Sequence, residues 1–277
     1  MTSFADRLAS ELTQGWWVTA RSSQLPPEGH WSVWLLLAGR GFGKTRVLSE
    51  MANSWAASGQ YRRLALVAAT ASDCRDVLVE GESGILSTAP DWCRPQYQTT
   101  RRRLEWPNGA LAYMYSAEEP DRLRGPQHDA AICDELATWR SGAEAWDMLQ
   151  FGLRLGKHPK TVIASTPRPV KLIRALLARE GQGVVVTRGT SYENAANLAP
   201  EFFASIVKRY EGTRLGPAGV ACRATGGYAG RALDIGHARP RAPRSCAESG
   251  ADRGSDRSRC QLERGLGRNR HYCCGEG

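Results

Sequence analysis

An α/β fold, with a mainly parallel sheet flanked by helices, is the architecture predicted by the first 216 residues of this 277-residue chain. Two observations carry that expectation. Short apolar runs of strand length recur between polar stretches of helical character, and the runs are apolar throughout instead of alternating, as in strands buried on both faces. A hydrophobic fraction of 42% against 23% charged residues supplies a core and excludes wholesale disorder.

The elements follow in order. Residues 31–38 read as a buried strand and 44–57 as the helix after it, with a second strand at 63–69. Segments 103–106 and 110–116 flank Pro107-Asn108-Gly109, whose Pro and Gly suit a tight turn, so this pair reads as a hairpin. Short buried strands at 130–133 and 161–165 enclose a helical segment at 143–155, and 184–188 is the last strand. The longest apolar run, residues 33–38, is too short to cross a bilayer, and Asp6, Arg7 and Glu11 do not suit a secretory signal. A cytoplasmic protein without a membrane partner is expected. No two of the eight cysteines stand at C-x2-C spacing, so neither a disulfide framework nor a structural metal is expected.

Composition changes after Gly216. Residues 217–277 hold 11 Arg, 11 Gly and five of the eight Cys, with no Lys and few aliphatics larger than Ala. Such a tail buries too little apolar surface to offset its ordering entropy and is expected to be disordered. Arg without Lys, beside Gly, Ala, Pro and Cys, is what a GC-rich message yields out of frame, which points to a frameshift just after Gly216; a natural basic tail that binds nucleic acid is the alternative. The net charge of +9 divides into +5 on the tail and +4 on residues 1–216, so overall basicity supports a nucleic-acid partner only weakly.

The segment Ala38-Gly39-Arg40-Gly41-Phe42-Gly43-Lys44-Thr45 follows a buried strand and opens a helix, the setting of a phosphate-binding loop. Glycines at 39, 41 and 43 let backbone N–H groups turn around phosphate oxygens, Lys44 reaches the β- and γ-phosphates, and Thr45 would hold Mg²⁺. Ala38 replaces the first Gly of the usual pattern. About 90 residues on, Asp134 and Glu135 end the strand at 130–133, the edge where ligands sit in an open α/β sheet. Asp134 would bind Mg²⁺ and Glu135 would polarise the attacking water, a division that favours a hydrolysing motor over a kinase, which must exclude water. A third strand ends in Ser165-Thr166, where a hydroxyl suits the nucleophilic water or the γ-phosphate.

Taken together, these blocks resemble the ATPase domain of large terminase subunits, the genome-packaging motors of tailed bacteriophages, including forms in prophages and gene transfer agents. The likeness covers residues 1–216 and is carried by QLPPEGHWSVWLLLAGRGFGKTR, WPNGALAYMYSAEEPDRLRGPQHDAAICDE, IASTPRP and TRGTSYENAANLAPEFFASIVKRYEGTRLG. It implies a P-loop NTPase fold of the RecA-like (ASCE) kind, with ATP and Mg²⁺ as cofactors. Double-stranded DNA is the implied cargo, with a portal protein and a small terminase subunit as partners, and a homo-oligomeric ring as the active form at the procapsid portal. By resemblance, Lys44 and Thr45 are the phosphate and Mg²⁺ residues, Asp134 and Glu135 the Mg²⁺ and water-activating pair, and Ser165-Thr166 the coupling motif.

The resemblance also implies that Gln24 reads adenine, against its reading as an ordinary polar loop residue. Arg40, inside the loop, corresponds to a basic residue that swings toward the phosphates; Arg124 corresponds to an arginine that reaches into the neighbouring subunit. The run Arg101-Arg102-Arg103 reads as a solvated strand edge, with contact to DNA phosphates as the alternative. Where the family continues into a ribonuclease-H-like nuclease with clustered Asp residues, this sequence has Pro217-Ala218-Gly219, and Asp234, Asp252 and Asp256 sit on no apolar strand. No nuclease activity is therefore expected. The alternatives to a packaging motor are a helicase-like P-loop ATPase, a small-molecule kinase and a truncated, non-enzymatic remnant.

Overall fold

The side chains of Val33–Ala38 (β1) point alternately to two apolar layers, and none of the six residues is exposed. Five further parallel strands, and two at an edge, complete the sheet in a computed structural model that describes residues 15–201. They are Arg63–Ala68 (β2), Gln96–Gln98 (β3), Arg103–Glu105 (β4), Leu111–Ser116 (β5), Ala130–Asp134 (β6), Lys160–Ser165 (β7) and Val184–Gly189 (β8). The order across the sheet is β3-β4-β5-β2-β6-β7-β1-β8. Every pairing from β5 to β8 is parallel, and the β3–β4 and β4–β5 pairings at the edge are antiparallel, so β4 alone is reversed among the described strands. The α/β class read from the sequence is the class observed.

Each face of the sheet is covered, as fully apolar strands require. On one face Trp34, Leu36, Leu64, Leu66, Ile132 and Val162 pack against Val47, Leu48, Met51 and Trp55 of Lys44–Ala57 (α1). On the other, Leu35, Leu37, Val67, Cys133 and Ile163 meet Trp146 and Leu149 of Gly142–Gly152 (α2), together with Ile173 and Leu176 of Lys171–Ala178 (α3). Full burial of a Leu or Val side chain contributes roughly 1.5–3 kcal/mol. The strand ends that carry the polar motifs therefore rest on strands buried in these two apolar layers.

The differences from the sequence reading have local causes. The first strand starts at Val33, because Trp31 turns aside and its indole donates to the Pro27 carbonyl at 2.9 Å. The second helix stops at Gly152, where Leu153 bridges to His128. The hairpin turn is present, with Gly109 at φ 82 where a side chain would be strained. Helix α3, amphipathic but only eight residues long, and the three-residue edge strand β3 were not expected. The boundary proposed at residue 216 and the tail at 217–277 lie outside the described residues. No helix among the described residues is long and apolar enough to cross a membrane.

Candidate functional site

Strand order sets the geometry of the site. β7 lies between β6 and β1, so the acidic pair, Ser165-Thr166 and the Gly-rich loop leave three adjacent strands at the same edge. Their register makes them level. Asp134 pairs with Ala164, which pairs with Leu36, so Glu135 emerges beside Ser165 and the loop begins just beyond.

The loop turns sharply because Gly41 and Gly43 take φ of 74° and 94°. At Gly43 an added Cβ would lie 2.9 Å from Gln24 Nε2, so the Gln24 amide would also have to move. Helix α1 then starts at Lys44 with no side-chain cap and no acidic residue in its first turn, leaving its first N–H donors available to an anion. Lys44, buried to 9% exposure, folds back so that Nζ donates to the carbonyls of Ala38 at 3.1 Å and Gly39 at 3.2 Å. The same ammonium lies 3.3 Å from Glu135 Oε1 and 3.3 Å from Thr166 Oγ1.

Glu135 is clamped from the neighbouring strand. Thr166 donates its N–H to Oε2 at 3.0 Å and its hydroxyl to Oε1 at 2.9 Å. The Glu135 backbone sits at φ 44, a left-handed conformation costly for a side-chain-bearing residue and typical of functional positions. Its carbonyl is held by the Thr138 N–H at 2.8 Å and hydroxyl at 2.7 Å. Ser165 Oγ, fully buried, accepts the Ala137 N–H at 3.0 Å and so ties the turn after Glu135 to β7. Burial, and then the neighbouring Glu135 charge, push the Asp134 carboxyl up to about 7, with the Lys44 ammonium opposing. A cation in front of Asp134 would reverse that cost. Thr45, half-buried, makes no side-chain hydrogen bond among the described residues, leaving its hydroxyl available as a metal ligand. No cluster of three or more His, Cys, Asp or Glu side chains suited to a metal occurs among the described residues. A site formed by one hydroxyl, one carboxylate, phosphate oxygens and water is the arrangement that suits Mg²⁺.

The other residues singled out in the sequence surround this cluster or lie away from it. The Phe42 ring points away from the loop's concave side into the core, packed on Gly189 at the end of β8, so only its backbone is available to phosphate. Gln24 is buried against the loop, with Oε1 accepting from Arg21 N at 3.3 Å and Nε2 lying 3.4 Å from the Phe42 carbonyl. Arg40 is exposed on the loop, and no ion pair or hydrogen bond among the described residues engages its guanidinium. Arg124 is exposed beyond the Pro120–Leu123 turn, and no hydrogen bond or ion pair joins it to the cluster of Lys44, Glu135 and Thr166. Of the basic run, Arg103 is paired with Glu105 at 3.1 Å, whereas Arg101 and Arg102 are exposed and line a cleft with Arg122, Tyr113 and Tyr115.

Three residues outside the phosphate-binding and acidic motifs complete the loop's surroundings. Ser191 Oγ donates to the Arg40 carbonyl at 2.6 Å, Asn194 Nδ2 to the Gly41 carbonyl at 2.6 Å, and Arg21 Nη2 to the Phe42 carbonyl at 2.5 Å. Within the block TRGTSYENAANL, Thr190-x-x-Glu193 forms a capping box at the start of Ser191–Asn197.

The comparisons with known proteins fit this geometry. The chain is similar to the large terminase of the thermophilic bacteriophage D6E, with a TM-score of 0.58 at 15% identity over 79% of this chain and 53% of that one. The D6E structure in complex with ATP-gamma-S gives a TM-score of 0.57 at 15% identity, covering 76% and 50% of the two chains. The large terminase ATPase domain of Thermus phage P74-26 matches with a TM-score of 0.52 at 15% identity, over 75% of this chain and 96% of that domain. The present chain thus spans about half the length of the D6E protein. Curated proteins give no match. Residues 35–225 match the family model described as terminase large subunit, T4likevirus-type, N-terminal, and the chain belongs to that family.

Proposed function

We propose that this chain is the ATP-hydrolysing motor part of a phage DNA-packaging terminase, coupling hydrolysis to movement of double-stranded DNA into a procapsid. The observation that carries the reading is the joint contact of Lys44, Glu135 and Thr166 at three adjacent strand ends. Lys44 and the loop amides bind the phosphates. Glu135, its carboxylate oriented by both donors of Thr166, takes the proton of the attacking water as the water adds in line to the γ-phosphorus and ADP leaves. Thr45 and Asp134 would hold Mg²⁺, which when bound neutralises phosphate charge. Release of Lys44 from Glu135 on phosphate binding frees the carboxylate, so the base becomes available as the nucleotide arrives. Arg40 supplies further positive charge from the loop, and Arg124 reaches a neighbouring subunit in the ring.

The polyanionic partner is supported by the cleft lined by Arg101, Arg102 and Arg122 with Tyr113 and Tyr115, where Arg101 and Arg102 have no acidic partner among the described residues. Portal and small-subunit contacts, action at the portal in the host cytoplasm, and residues 1–216 as the ATPase unit complete the proposal. The test is phosphate release from ATP by the full chain with and without double-stranded DNA. Release that rises with DNA supports the motor. Phosphorylation of a small acceptor, with DNA without effect, would favour a kinase.

A further inference from the structure

The loop's phosphate-facing shape is not self-supporting: three of its successive carbonyls, those of Arg40, Gly41 and Phe42, are each held by a side chain from outside the loop. We propose that Ser191, Asn194 and Arg21 form a clasp that fixes the loop backbone in its phosphate-binding form, and that they are positioning residues for nucleotide binding. The inference rests on the loop binding nucleotide phosphate. No cis peptide occurs among the described residues, and in a trans peptide the carbonyl and the following N–H point in opposite directions. Carbonyls 40, 41 and 42 turned toward the clasp therefore turn the N–H groups of Gly41, Phe42 and Gly43 away from it, to the side where phosphate oxygens are bound.

The hydrogen-bond chemistry fixes each partner's role. Asn194 Oδ1 accepts from Arg21 Nη1 at 2.7 Å and from Asn197 Nδ2 at 3.0 Å, so the amide's nitrogen is the atom left to donate to Gly41. Arg21 spans Asn194 and the Phe42 carbonyl with its two terminal nitrogens, which a lysine cannot do. Its guanidinium also stacks over the Phe42 ring, 4.9 Å from the centroid. Glu193 completes the frame by accepting from Ser23 Oγ at 2.7 Å and from the Thr190 N–H at 2.7 Å. Two segments far apart in the chain, one before β1 and one after β8, are thus joined through the loop. Glycines at 41 and 43 make the loop able to adopt other conformations, and the clasp selects one before the ligand arrives.

A clasp of this kind acts on every ligand that uses the loop amides and on none that does not. It stabilises bound ground state and transition state alike, so its loss raises KM and leaves kcat at saturation nearly unchanged. The experiment compares the full-length chain with Asn194→Ala and, as a milder change, Ser191→Ala. Binding of ATP, ADP and pyrophosphate is measured by calorimetry with Mg²⁺, alongside the ligand-free unfolding temperature and steady-state hydrolysis. The expected result is a loss of about tenfold in affinity for all three ligands, the scale of one hydrogen bond. The accompanying result is a KM raised by a similar factor with kcat within about twofold. Unchanged pyrophosphate and ATP affinity in both variants, in a wild-type protein that binds them, would overturn the clasp alone. Failure of the wild-type protein to bind either ligand would overturn the nucleotide site and the clasp with it. A loss of kcat at unchanged KM would also overturn it, since that pattern belongs to a residue acting only in the transition state.

Discussion

Gly189→Ala is expected to destabilise the protein through a single contact, and the effect is expected to vanish when Phe42 is removed. The Phe42 ring is fully buried and lies against Gly189, where an added Cβ would stand inside the contact distance of Cδ2, Cε2 and Cζ. Overpacking of this kind costs about 1–3 kcal/mol. Phe42→Ala alone, which empties the ring's volume in a packed core, costs about 3–5 kcal/mol. Were the two independent, the double variant would lose about 4–8 kcal/mol. In the structure the clash disappears with the ring, so the double variant should lose only about what Phe42→Ala loses, giving a coupling of about 1–3 kcal/mol. Urea unfolding of the four proteins measures this, provided the slopes agree. Additive losses would refute the placement of the Phe42 ring on β8, and with it the account of how the loop is anchored beneath its phosphate-binding face.

Other changes separate the roles of individual groups. Thr166→Val keeps the shape but removes the hydroxyl that orients Glu135, and should slow phosphate release about 10–100-fold while ATP affinity stays within about threefold; unchanged turnover would remove Thr166 from the mechanism. Arg101→Ala with Arg102→Ala should weaken DNA binding at low salt and reduce the salt slope by about 2, whereas an unaltered slope would return both to a solvated edge. His128, buried beside Tyr113 and Tyr115 with neither ring nitrogen hydrogen-bonded among the described residues, is held neutral, its pKa lowered from 6.5 to about 4 chiefly by burial. Below 6.5 the unfolded chain takes the proton first, so stability present above that pH is lost as pH falls toward about 4, by about 3 kcal/mol in all. His128→Leu should flatten that part of the stability profile, and identical pH dependence in both proteins would contradict the buried neutral imidazole.

The parts of this molecule legible in the sequence are those where one local requirement dominates. Strands buried on both faces are written as unbroken apolar runs, so β1, β2, β6 and β7 were readable within a residue or two. The loop was readable because only glycine tolerates the backbone at positions 41 and 43. Strand order is set by packing of the whole sheet, and the sequence does not state that β7 inserts between β1 and β6. That insertion brings Thr166 to Glu135, a contact spanning 31 residues, and turns the hydroxyl toward the carboxylate instead of leaving it open. Phe42 misleads for a related reason: a residue inside a phosphate loop looks like a ligand contact, yet its ring is needed to anchor the loop on Gly189. Ser191 and Asn194 lie inside the block TRGTSYENAANL that carries the family likeness, yet nothing local in it states that their side chains reach backbone carbonyls about 150 residues away.

The central claim is that Lys44 and Glu135 belong to one centre in which the first binds phosphate and the second activates water. Its most direct test measures ATP binding and phosphate release on the same full-length preparations of wild type, Lys44→Ala and Glu135→Gln. Lys44→Ala should lose both. Glu135→Gln should bind ATP with Mg²⁺ about as well as the wild type and release phosphate slower by a factor of about 10²–10⁴, the usual contribution of a positioned general base. Turnover at the wild-type rate in Glu135→Gln would contradict the account.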